Sequence, residues 1–134
     1  MAEPDEVELV TAVLQDEDMP MAQSVVVRHI DRRAAELLPS PRFTVWAHTL
    51  SGVIAEYGFL NRRLQEWSLL RAIAVGDAWA PEELTTASDW CQRSLLSIRL
   101  ARTPKALALL AEHGRTRRTR NAAARPLPCP EQPS

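Results

Sequence analysis

From Phe43 onward the large apolar residues fall at Phe43, Trp46, Leu50, Val53, Tyr57, Leu60, Leu64 and Trp67, in alternating steps of three and four. A period of 3.5 residues places all of them on one stripe of a helix, whereas a strand would divide them between two faces. The spacing predicts one long helix from Phe43 to about Ala74, roughly 48 Å at 1.5 Å per residue. A rod of that length needs antiparallel cover. The expected architecture is therefore all-α, a helical bundle of four to five helices around one long central helix, with residues 82 to 101 as its antiparallel partner. Gly52 and Gly58 each cost about 1 kcal/mol relative to Ala inside a helix. They predict either close approach of a neighbouring backbone or a kink near Gly58.

The remaining elements follow from the prolines, which outnumber the glycines by 10 to 4 and mark breaks between stiff segments. Residues 5 to 15 carry Val7, Val10 and Leu14 on one stripe, with acids in the first turn, where the helix dipole favours them. After Pro20 the stripe resumes with Val26, Ile30, Ala34 and Leu37. Ser40-Pro41 reads as a cap and first-turn pair for the long helix, Gly76 as its C-terminal stop, and Pro81-Glu82-Glu83 as the next start. Leu84, Ala87, Cys91, Leu95 and Ile98 form a buried stripe there. Thr103-Pro104 opens a short helix that ends near Gly114.

The 134 residues are 46% hydrophobic, enough for a core without staples. Cys91 and Cys129 stand far apart, with no metal-binding spacing and no secretory leader before them, so a reducing cytoplasm is the expected location. No apolar run reaches the length of a membrane span. Net charge is only −1, but residues 1 to 20 hold seven acids and no base, while residues 102 to 125 hold seven bases and one acid. The expected organisation is a helical bundle domain over 1–114, followed by a basic extension and a Pro-rich disordered tail over 115–134.

Chemistry-bearing motifs are few. His29, His48 and His113 lie on different helices without a second ligand at metal-binding spacing, so no metal is expected. There is no phosphate-cradling glycine loop, no GxSxG and no HExxH, and neither a cofactor nor enzymatic activity is expected. Two features remain. Trp46, Tyr57 and Trp67 lie on the long apolar stripe, for which core packing and a partner-binding face are the two expected readings, the second because the stripe asks for more cover than short helices provide. Arg115, Arg117, Arg118, Arg120 and Arg125 place five guanidiniums within eleven residues, groups suited to phosphate.

A helix-turn-helix can be drawn with residues 104 to 113 as the first helix, Gly114 in the turn and residues 116 to 125 as the second. The second helix then has only Ala122, Ala123 and Ala124 to bury, so a basic helical extension is the expected description. The leading expected function is a non-enzymatic interaction, adaptor or regulatory protein that self-associates or docks a protein partner through the tryptophan-bearing face. Next comes a nucleic-acid-binding accessory protein in which Arg115, Arg117, Arg118 and Arg120 contact phosphates with little base discrimination. A ligand pocket between helices is a third class.

Overall fold

The structure, a computed structural model, describes residues 4–125. The Pro-rich segment 126–134, for which the sequence predicts disorder, lies outside the described residues. Among those residues every regular element is helical: α1 (Pro4–Val13), α2 (Met19–Leu37), α3 (Arg42–Ile54), α4 (Gly58–Val75), α5 (Pro81–Thr85), α6 (Asp89–Ser97), α7 (Pro104–His113) and α8 (Arg117–Ala124), with a single 3-10 turn at Arg99–Ala101. None of the helices is long and apolar enough to cross a membrane. The chain divides after Asp77 into two compact units, and the basic segment falls inside the second.

The all-α class stands, but the single long central helix does not. The predicted rod is two helices, broken at Ala55–Tyr57, where Tyr57 adopts an extended conformation (φ −104°, ψ 91°) and its N–H bonds the Ile54 carbonyl at 2.9 Å. The two halves run antiparallel. Arg71, near the end of α4, donates to the carbonyl of Ser40 before α3 and places its guanidinium 5.6 Å from the centre of the Phe43 ring. Folding back lets each half cover the other's apolar stripe, whereas a continuous rod would leave its far half bare. The seven-residue pattern survives the break because Tyr57, a stripe residue, sits at the corner.

Trp46, Leu50, Leu60, Leu64 and Trp67 are buried, Val53 and Tyr57 half-buried, and Ile54, off the predicted stripe, is fully buried beside them. Neither helical glycine answers to close approach. A Cβ built at Gly52 or Gly58 meets no atom within 4 Å.

In the first unit α4 packs against α3 and α2, and α1 lies on α2 and α3. Two of the helix ends are those that the sequence announces: the Ser40 hydroxyl accepts from the amide of Arg42 before α3, and Gly76 closes α4 at φ 82°, a left-handed conformation that glycine adopts without strain. The start of α2 adds a third, where the Asp18 carboxylate accepts from the amide of Met21.

In the second unit the segment expected to form one helix over 82–101 is three pieces: α5, α6 and the 3-10 turn. Ser88 accounts for the first break, because its hydroxyl accepts from the amide of Cys91 at 3.1 Å and starts a new helix. Leu84, Ala87, Cys91 and Leu95 are still buried, drawn from both helices and the link between them, while Ile98, past the end of α6, is half-buried.

Candidate nucleic-acid interface

The second unit brings the basic segment into a defined fold. Thr103 caps α7, whose N–H groups begin after Pro104, and α7 packs on α5 and α8. Three residues, Gly114, Arg115 and Thr116, join α7 to α8. The amide of Gly114 closes α7 on the Leu110 carbonyl at 2.9 Å. A Cβ at Gly114 would lie 2.7 Å from that same carbonyl oxygen and 3.1 Å from side-chain carbons of Thr119 and Arg120. No larger residue fits so tight a turn without moving the backbone.

Thr116 then caps α8. Its hydroxyl accepts from the Thr119 amide at 3.0 Å and donates to the Thr119 hydroxyl at 2.9 Å. With its oxygen satisfied, Thr119 is 1% exposed and Ala123 6%. These residues, four apart, form the buried face that a count of alanines alone misses. The basic segment is therefore a packed helix joined to α7 by a three-residue turn, and the packing objection to a helix-turn-helix falls.

The arginines divide into two groups. Arg115 donates from Nε to the carbonyl of Ala87 and from Nη2 to that of Thr86, just past the end of α5, where a cation is favoured by the helix dipole. Its amide bonds Oε1 of Gln92, which is fully buried and donates from Nε2 to the Leu84 carbonyl at 3.0 Å. Gln92 thus ties α5, α6 and the turn together. Arg120 donates to the Gly114 carbonyl at 2.8 Å and braces the turn from the other side.

Arg117, Arg118 and Arg125 are exposed, and their guanidiniums make no hydrogen bond or ion pair among the described residues. Asn121 is exposed on the same side. Thr119 and Ala123 lie on the opposite side of the helix, so α8 has one packed face and one cationic face.

The placement of Arg117 and Arg118 runs against helix electrostatics. The first turn of a helix favours acids, as in α1 with Asp5 and Glu6 and in α5 with Glu82 and Glu83. The first turn of α8 carries no acid and begins Arg117-Arg118. Thr116 and the packed face hold the helix together despite this charge.

The three aromatic residues expected to meet a partner are placed differently. Trp46 is fully buried in the first unit, its indole N–H donating to Glu6 Oε2 at 3.0 Å. The same carboxylate takes His29 Nε2 at 2.6 Å and Arg33 Nε at 3.2 Å. Burial by itself pushes the Glu6 carboxyl up, but the hydrogen bonds from Trp46, His29 and Arg33, with the Arg33 charge, outweigh it and hold the pKa below its ordinary value. Trp67 is buried too and donates to Asp31 Oδ1 at 2.8 Å, beside a two-pronged Arg63–Asp31 pair at 3.0 and 3.3 Å. Tyr57 is half-buried at the α3–α4 corner. Both indoles thus face inward, with polar ends satisfied inside the unit.

A groove of about 600 Å³ runs between α3 and α4, lined by Phe43, Ala47, Ser51, Leu64 and Ser68, with Arg71 and Asp77 paired at 3.5 Å among its lining residues. Among the described residues no group of three or more His, Cys, Asp or Glu is placed to hold a metal ion. Compared with known protein families, curated proteins and solved structures, the chain matches none.

Proposed function

We propose that the protein binds duplex DNA through the second unit, with α7, the Gly114 turn and α8 acting as a helix-turn-helix and the outward face of α8 presented to the major groove. The observation that carries this reading is the Arg117-Arg118 pair in the first turn of α8, exposed and unpaired among the described residues where the helix dipole opposes cations. Local stability is given up at a position where an anion would restore it, since helix N-termini and guanidiniums both favour phosphate. The groove of B-DNA admits one α-helix, and α8 has the required pair of faces. The interaction-protein reading has less support, because Trp46 and Trp67 are enclosed within their own unit.

Charge reversal separates function from folding. The double variant Arg117→Glu/Arg118→Glu places acids where the dipole favours them, and its thermal midpoint should rise or stay level, each change contributing about 0.3 to 1 kcal/mol in the stabilising direction. Its affinity for duplex DNA should be lost. With phosphates met by Arg117, Arg118 and Arg125, the slope of log affinity against log salt for the unaltered protein should be about −2.7. Titrations of labelled duplex at several salt concentrations, beside thermal melts, make both measurements. Undiminished affinity in the stable double variant would overturn the assignment.

A further inference from the structure

We propose that Asn121 is a specificity-determining residue that reads an adenine in the major groove, an inference that rests on the assignment of α8 to duplex DNA. Asn121 lies four residues after Arg117 and three after Arg118, so the three side chains share one face of the helix, about 6 Å apart along the axis from first to last. Its side chain is exposed and its carboxamide makes no hydrogen bond among the described residues. Asparagine inside a helix is less favourable than alanine, and the three residues that follow are alanines, so helix formation does not account for it. A carboxamide neutralises no phosphate. What it offers is an acceptor and a donor side by side, the complement of adenine N6 and N7 on the major-groove edge.

The flanking guanidiniums fix the helix on the backbone, and Asn121 faces the base edges between them. Arg115 and Arg120, engaged with backbone carbonyls, hold the turn that aims the helix. The ligand is B-form DNA, because the deep, narrow major groove of duplex RNA does not admit a helix.

The test begins with selection of binding sites from a pool of random-sequence duplex DNA by the full chain. The selected sites should share an A·T pair, and changing that pair to G·C should weaken binding by about 10- to 100-fold. Asn121→Ala, which favours the helix and keeps α8 folded by circular dichroism, should bind both duplexes equally. Its salt slope should match that of the unaltered protein, because no phosphate contact is removed. Binding by the unaltered protein without sequence preference would overturn the role of Asn121 and leave the DNA assignment standing. A preference that survives in Asn121→Ala, or equal affinity for duplex RNA, would also overturn it. Failure to bind any duplex at low salt would remove both proposals.

Discussion

Replacing Glu6 with Ala should destabilise the protein by about 3 kcal/mol, because it removes the common acceptor of Trp46, His29 and Arg33 and leaves a buried indole N–H and a partly buried guanidinium without it. This is the point at which α1, α2 and α3 are joined by polar contacts; of the three donors Arg33 keeps a second carboxylate, Glu36 at 3.5 Å, which does not reach across to α1 or α3. The effect should depend on pH in one direction. The pKa of Glu6 is lowered in the folded protein, so its contribution is fully present above the ordinary carboxylate value of about 4.3 and disappears as pH falls through the lower folded value. Denaturant unfolding of both proteins at pH 7 and at progressively lower pH should show a gap that closes below about pH 4. A gap that is constant, or widest in acid, would mean that the carboxylate does not hold these helices.

The second large effect concerns Gly114. Gly114→Ala should cost about 1 to 3 kcal/mol, because its Cβ would lie 2.7 Å from the Leu110 carbonyl oxygen that the Gly114 amide itself bonds, and backbone cannot yield as a flexible side chain can. Any shift that relieves the contact also moves α8, so DNA affinity should fall with stability. Gly52→Ala is the matching control: the site is a helix interior with open space around it, and the change should stabilise by about 0.5 to 1 kcal/mol. Thermal melts of the two variants should therefore shift in opposite directions.

Much of the helical organisation is legible in the sequence. Thr103 with Pro104, Gly76 and the acidic first turns mark helix ends through local hydrogen bonding and dipole chemistry that need no tertiary contact, whereas the cap at Ser88, which divides the expected helix over 82–101, is not read from the pattern of apolar residues. The break at Ala55–Tyr57 is legible only in part: Gly58 points to a kink near this position, but the corner preserves the heptad count and leaves the pattern of an unbroken rod. Only the need of each half for cover decides the matter, and that need is tertiary. The Glu6 cluster is hidden for the same reason: His29 and Arg33 are one turn apart on α2, but Glu6 and Trp46 stand at no telling distance from them in sequence and meet them only once three helices have packed. In α8 a signal is present but counts as polar. Thr116 and Thr119, three apart, satisfy each other's hydroxyls, which frees Thr119 to be buried and gives the basic helix its packed face.

The division of labour among the arginines was equally out of reach. Five guanidiniums in eleven residues look alike in sequence. The fold gives Arg115 and Arg120 to backbone carbonyls and leaves Arg117, Arg118 and Arg125 facing out. Whether a charge is structural depends on which carbonyls lie within reach, and the end of α5 that receives Arg115 is supplied 28 residues earlier in the chain.

The central claim is that duplex DNA meets the outward face of α8. Amide chemical shifts of the isotope-labelled full chain, followed while duplex DNA is added at low salt, test it residue by residue. The account predicts that the largest shifts fall at Arg117, Arg118, Asn121 and Arg125 and reverse on addition of salt, while the amides of Leu50, Leu60 and Leu70 in the core of the first unit hold their positions. Shifts confined to the first unit, or none along α8 at any DNA concentration, would contradict it.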